Sequence, residues 1–235
     1  MPKFRLIGPG RAGRSLAAGL TAAGWEAAGE LGRGDDVVAA GVGVDAVVIA
    51  TPDPAISAVA SALRPVGTTV VLHLAGSLGL EVLAPHRRRA AVHPIVSMPT
   101  ERTPLAGAWF AVTGDPLADR MVADLGGRSV RVADDDRVSH HAAATIAANH
   151  LVALLGQVER VAATAAVPLA AYLALARGAL DNVERLGPAA ALTGPVRRGD
   201  EATVARHLEA LDASERPAYE ALAAAARRLA TDLTT

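Results

Sequence analysis

The 235-residue sequence contains no cysteine. That removes disulfides, thiolate nucleophiles and cysteine-ligated metals together. Lysine is almost missing as well: Lys3 is the only one, at the start of the first apolar run. A mechanism that needs a lysine in a cleft therefore has no residue to use. Aromatic residues make up 3% of the chain and the formal net charge is −1. A nucleic-acid surface asks for a basic face and stacking rings, so no nucleic-acid partner is expected. The densest basic cluster, Arg87-Arg88-Arg89, reads as a solvated loop. Apolar residues account for 51% of the chain, yet no uninterrupted run approaches the roughly 20 residues of a bilayer span. No basic segment followed by an apolar one precedes the first strand, so a signal peptide is not expected. These absences point to a soluble, cytoplasmic protein with no membrane partner.

What is present is an alternation of apolar strands and helical periods. Residues 4–7 form a short apolar run that breaks at Gly8, and Ala12, Leu16, Ala17 and Leu20 follow at helical spacing. A second strand fits residues 26–31, closed by Gly32-Arg33-Gly34. "DAVVIATPD" is a buried strand ending in a turn, after which Pro54 can open a helix through Ile56, Val59 and Leu63. "TTVVLHLAGS", "AAVHP" and "AWFAVTG" are strand-like, residues 117–125 helical, and "SVRVAD" a last strand. This alternation predicts an α/β fold, a Rossmann-like, doubly wound parallel sheet. Beyond about Ala133 the pattern turns wholly helical: residues 138–165, 168–186, 201–211 and 215–233. Asp134, Asp135 and Asp136 sit where acidic residues favour a helix N-terminus. The expected organisation is a dinucleotide-binding domain over 1–133 and an all-helical domain over 134–235.

The stretch "FRLIGPGRAGRSLAAGL" holds Gly8, Gly10 and Gly13 as G-x-G-x-x-G in the required strand–turn–helix context. Gly8 suits the tight turn, Gly10 a close approach of backbone to pyrophosphate, and Gly13 the helix–strand contact. Together with Pro9, Arg11 and Ala12 at the helix N-terminus, these residues form the expected cofactor cradle. Glu30 lies within the second strand, whereas Arg33 stands at its exit, where a guanidinium can fork onto a 2′-phosphate. NADP(H) is therefore favoured and NAD(H) possible; Arg33 as an ordinary solvated residue is the alternative. Thr51, Pro52 and Asp53 end the third strand beside the cofactor, with backbone contacts expected rather than catalysis by Asp53. The interval 32–45 is short. It has room for one short helix, over 36–41, where the complete unit would hold a helix, a strand and another helix.

"HLAGSLGLEVLAP", "AAVHPIVSM", "LAGAWFAVTG", "HHAAATIAANHLVALL" and "LTGPVRRGD" occur in that order along the chain. With the glycine turn they resemble, over nearly the whole length, a bacterial family in which a Rossmann-like domain is joined to a C-terminal domain of unknown function. That family is similar, more distantly, to pyrroline-5-carboxylate reductase, the coenzyme F420-dependent NADP reductases and the 6-phosphogluconate dehydrogenase group. The resemblance implies a helical dimerisation domain, hence a homodimer, and an active site in the cleft between domains. It names no substrate. "HLAGS" departs from the family's more usual His-Thr-Ser-Gly.

Hydride transfer asks the protein for orientation, a dry site and a proton donor or acceptor. With lysine excluded, histidine is the natural acid or base. His93 precedes Pro94 at a strand exit, as in the related prephenate dehydrogenases; a strand-end cap is the alternative. Ser77, after Gly76, can bind a carbonyl or carboxylate, or can simply start a helix. His73, inside its strand, reads as structural. His141, Thr145 and Asn149 lie four apart, and at about 100° per residue they form one polar strip on an apolar helix. By resemblance to the dehydrogenases, His141 stands in as proton donor and Asn149 orients the substrate, while His140 and His150 point elsewhere. No metal site is expected. The reading is an NADP(H)-dependent oxidoreductase acting on a small-molecule carbonyl or imine acid, or else a non-catalytic nucleotide sensor on the same fold.

Overall fold

The computed structural model describes residues 1–231. The chain divides into two compact units, Met1–Ala148 and Asn149–Thr235. In the first, seven strands form one sheet: β1 (Lys3–Ile7), β2 (Glu26–Leu31), β3 (Ala46–Ile49), β4 (Val70–His73), β5 (Arg89–Ile95), β6 (Trp109–Gly114) and β7 (Arg128–Arg131), in the order β2-β1-β3-β4-β5-β6-β7. Helices cover both faces, as a mostly parallel sheet requires. On one face α1 (Arg11–Ala22) and α3 (Leu117–Asp124) close a core around Phe4, Leu16, Leu72 and Phe110. On the other, α2 (Asp53–Ala62) and a 3-10 turn at Leu80–Leu83 pack on Ile7, Val47, Ile49 and Leu83. The α/β reading therefore holds, with a doubly wound sheet in front of a helical region.

Three features differ from expectation. The β5–β6 pair is antiparallel, His93 facing Ala111; residues 96–108 contain no helix, and a parallel crossover needs one. The short helix over 36–41 does not form. The interval 32–45 is a chain of turns closed by Val37 and Ala39 carbonyls, burying Ala40 and Val44. The sheet consequently ends at β2. Its pairing with β1 slips by one residue between Phe4 and Leu6, beside Gly29 at φ +113°; this extra residue in β2 is a bulge.

The third difference lies in the long helix. α4 (Arg137–Thr145) passes into a π-turn (Ile146–His150) and then α5 (Leu151–Thr164). The three aspartates form a 3-10 turn, and Asp136 makes no side-chain cap to α4. α4 stays with the sheet unit because Arg137 is fully buried there, its Nη2 donating to Thr113 Oγ1 of β6 at 2.9 Å and its Nε to Asp134 at 3.3 Å.

The second unit continues with α6 (Leu169–Leu186), α7 (Pro188–Ala191), α8 (Gly194–Arg198), α9 (Glu201–Ala210) and α10 (Arg216–Thr231). Asp200 caps α9, accepting from Thr203 N at 3.0 Å. The end of the last expected helix, at Leu233, lies outside the described residues. Among the described residues no helix is long and apolar enough to cross a membrane.

The glycine turn constrains α1 against the sheet. A Cβ on Gly13 would lie 2.7 Å from Gly8 O and 3.0 Å from Ala50 Cβ. Gly13→Ala is expected to cost about 1–3 kcal/mol, read as a lowered urea midpoint at unchanged slope.

Candidate functional site

The carboxyl ends of β1, β3, β4 and β5 gather the residues singled out from the sequence, where open α/β sheets bind ligands. At β1, Gly8 takes φ +89°, and a Cβ there would meet Thr51 N at 2.7 Å and the Ala50 backbone. Only glycine fits this turn. Gly10 differs: it has extended backbone, and a Cβ would find nothing within 4 Å. Protein packing does not require glycine at this position. Gly10 caps α1, accepting from Arg14 N at 2.9 Å, and no side chain caps that helix. Its first free N–H groups, on Arg11, Ala12 and Gly13, follow directly. Nearby, Thr51 Oγ1 is buried without a partner.

At the exit of β2 the turn is tied by Asp35, whose carboxylate accepts from Gly32 N at 2.7 Å. Glu30 accepts from Arg14 Nε at 3.4 Å. Arg33 is exposed and makes no hydrogen bond or ion pair with any described residue. Both acids around the exit of β2 are thus engaged, and Arg33 is free.

At β3 and β4, Ser77 Oγ donates to Asp53 Oδ2 at 3.4 Å, joining two residues that the sequence had only in sequence order. Asp53 opens α2. Ser77 begins no helix; it lies in a bend before the 3-10 turn. His73 is fully buried in β4, with Nε2 on Gly79 O at 3.2 Å and Nδ1 unpartnered.

His93 of β5 is the centre of the cluster. Its ring lies edge-on between those of His140 (centroids 5.3 Å apart) and His141 (5.7 Å). Its Nδ1 is 3.1 Å from His140 Nε2. Gly76 makes room for this: a Cβ there would lie 2.5 Å from His141 Cδ2 and 2.9 Å from His93 Nε2. The expectation that His140 points away is therefore corrected. Successive helix residues diverge by about 100°, and both reach His93 because its ring stands between them. Asn149 is exposed within the π-turn and begins the second unit, and His150 is exposed beside it. Arg137 and Asp134, whose carboxylate also accepts from Leu80 N at 2.9 Å, hold α4 in this position. Neither had been marked in the sequence beyond the acidic run. Among the described residues no group of three or more His, Asp or Glu is placed to hold a metal ion.

Burial pushes the His93 pKa down to about 4, and the neighbouring His140, His141, Arg137 and His73 each add to the effect. Burial also lowers His73, against its bond to the Gly79 carbonyl, and lowers His140, where Arg137 and His141 add to the effect. His93, His73 and His140 are therefore neutral at neutral pH.

A Rossmann-like domain followed by helices defines the fold class, a fold also seen in solved NADP-binding oxidoreductases. Within that class the chain belongs to the family described as domain of unknown function DUF2520, whose model matches residues 108–226. No curated protein matches the sequence. Among solved structures, a Bacteroides fragilis protein provisionally named an NADP oxidoreductase is similar at 19% identity and TM-score 0.80, covering 97% of this chain and 98% of that one. A reductive aminase from Aspergillus terreus, in complex with NADPH and ethyl levulinate, is similar at 16% identity and TM-score 0.70, covering 97% and 94%. Plasmodium falciparum pyrroline carboxylate reductase with NADP bound gives 12% identity and TM-score 0.64, covering 97% and 98%.

The depressed histidines link acid to unfolding. The unfolded chain takes up protons near the ordinary value of about 6.5, whereas folded His93 resists them until about pH 4. Stability is complete above pH 6.5 and falls as pH drops from there towards 4. From pH 7 to pH 5, His93 alone should cost on the order of 2 kcal/mol. Urea midpoints at the two pH values measure the loss, and His93→Gln should remove that share of it.

Proposed function

We propose that the protein is an NADP(H)-dependent oxidoreductase acting on a small carbonyl or imine acid, with NAD(H) a weaker cofactor. The observation that carries this reading is the contrast among the three glycines. Gly8 and Gly13 are closed by the protein's own atoms, while Gly10 faces open space in front of an uncapped helix. That is the arrangement a pyrophosphate needs: room for backbone approach, free N–H donors and the positive end of a helix dipole. Arg33 supplies the cation for a 2′-phosphate, with Glu30 and Asp35 engaged elsewhere.

When bound, the cofactor supplies the hydride. The chain's own part is to bind, orient and manage a proton. Neutral His93 can present an N–H to a carbonyl oxygen or imine nitrogen, and a neutral donor in a buried setting suits that task better than a cation would. His141 and the Ser77 hydroxyl flank the same Gly76 turn and are assigned to hold the substrate's polar end. The complexes of the similar reductive aminase and pyrroline carboxylate reductase with NADPH and NADP support the choice of cofactor. A second reading, a nucleotide sensor without turnover, draws on the sheet's ending at β2, which leaves no further strand beside an adenine.

The helical unit is assigned to a homodimer. Its only buried apolar residues among those described are Ala162, Val204 and Ala223. α6 buries none of its 18 residues and exposes Leu175, Leu180, Val183 and Leu186. A cavity of about 730 Å³ opens among Leu154, Val158, Tyr172, Leu211 and Leu222. Apolar surface on this scale marks an association face.

Two measurements test these assignments. In calorimetry, NADPH is expected to bind at least about tenfold more tightly than NADH, as one charge-assisted contact implies. Arg33→Ala should weaken NADPH and leave NADH unchanged; Gly10→Ser, a good helix cap that fills the cradle, should abolish both without loss of stability. Absence of binding by NADPH, NADH and NADP+ at millimolar concentration would overturn the oxidoreductase reading. In sedimentation the protein is expected to run as a dimer, and Leu175→Glu or Leu180→Glu to give monomer; a monomeric wild type would refute the dimer.

A further inference from the structure

The two ring nitrogens of His93 have different surroundings. Nδ1 lies 3.1 Å from His140 Nε2, so a single proton sits between two imidazoles. Nε2 has no hydrogen-bond partner among the described residues. The sealed, unpartnered side-chain atoms are Arg5 Nε, Thr51 Oγ1, His73 Nδ1 and Arg137 Nη1, and His93 Nε2 is not one of them. It therefore stays accessible, next to the gap left by Gly76. His140 is partly exposed, and its second nitrogen, Nδ1, is likewise neither bonded nor sealed. The pair thus has one open nitrogen at each end and a hydrogen bond in the middle.

We propose that His140 and His93 form a proton relay, which passes a solvent proton through the hydrogen-bonded pair to the substrate atom at His93 Nε2 while both rings stay neutral before and after. This rests on the reading of His93 as the proton-transfer group of a reductase. The step balances as follows. His93 Nε2–H gives its proton to the substrate oxygen or nitrogen. His93 Nδ1 takes the proton of His140 Nε2–H, and His140 Nδ1 takes one from water. One proton enters, one leaves, and the N–H···N bond reverses direction. When product departs, Nε2 takes a proton from water and His140 Nδ1 returns one, restoring the starting tautomers.

The surroundings explain why a relay serves better than an imidazolium. His140, His141 and Arg137 face His93 from α4 and His73 from β4, and each opposes positive charge on its ring. Among the described residues, buried Arg137 is ion-paired only with Asp134. A charged His93 would add a second cation to that group, whereas tautomer exchange moves a proton with no net charge. His140 is accordingly a positioning residue that acts through His93, a role with no sequence mark beyond adjacency to His141.

The test is nitrogen-15 NMR of histidine-labelled protein at pH 7, without cofactor or substrate. The expected wild-type spectrum shows coupling across the hydrogen bond between His93 Nδ1 and His140 Nε2. It also shows His93 nitrogens at intermediate shifts, because both tautomers are populated. His140→Phe should collapse His93 to one tautomer. His140→Gln keeps an amide N–H able to donate but unable to pass a proton on, so it should preserve a hydrogen bond and still lock the tautomer. A single fixed tautomer in the wild type, a tautomer ratio indifferent to both substitutions, or a charged His93 ring at pH 7 would each overturn the relay. These spectra do not depend on cofactor. A failure of NADPH to bind, measured separately by calorimetry, therefore strikes the reductase reading alone.

Discussion

The buried guanidinium of Arg137 is the contact on which the site depends. It ties the start of α4 to β6 through Thr113 and to the 3-10 turn through Asp134, which in turn holds the Leu80 amide. A buried charge is expensive, and breaking such a pair by removing one partner typically costs about 3–5 kcal/mol. The return is geometric. With α4 fixed at its first turn, His140 and His141, one helical turn along, arrive on either side of His93. Without that anchor, the exit of β5 would carry a lone histidine against a glycine.

The glycine turn was legible because its constraints are local. A positive φ at Gly8 and the contact of Gly13 with Gly8 O are properties of a few consecutive residues, and the motif encodes them directly. The strands were legible for the same reason, as short apolar runs bounded by turns. What escaped was everything that depends on partners far apart in sequence. His140 was set aside because an ideal helical wheel allows one face, and the wheel says nothing of a ring standing between two neighbours. The π-turn at 146–150 has no periodic signature. Arg137 looked like any charged residue after an acidic run, since burial of a guanidinium depends on Thr113 and Asp134 closing around it. The antiparallel β5–β6 pair follows from the helix-free interval 96–108, a feature visible in the sequence whose consequence appears only once the strands are ordered.

Family membership and similar folds leave the substrate open, and the chemistry of the site narrows it. The described site offers neutral imidazoles, a serine hydroxyl and no lysine or free carboxylate aimed at them, apart from Asp53 on Ser77. Such a set suits a polar carbonyl or imine that needs a proton at the end of the reaction. It does not suit chemistry that passes through a covalent amine or thiol adduct. The glycine turn and the histidine cluster also lie apart along the sheet, the first at β1, the second at β4 and β5.

The bulge in β2 has one more consequence. A sheet that stops early exposes a row of unpaired backbone N–H and C=O groups, which invites another chain to add a strand. Here that border is bulged at Gly29 and carries Glu26 and Glu30 along its length, while the opposite border, β7, carries Arg128 and Arg131. A bulge in the edge strand twists it away from the flat register that another strand would need. The sheet therefore ends early without a flat, regular margin for another strand to extend.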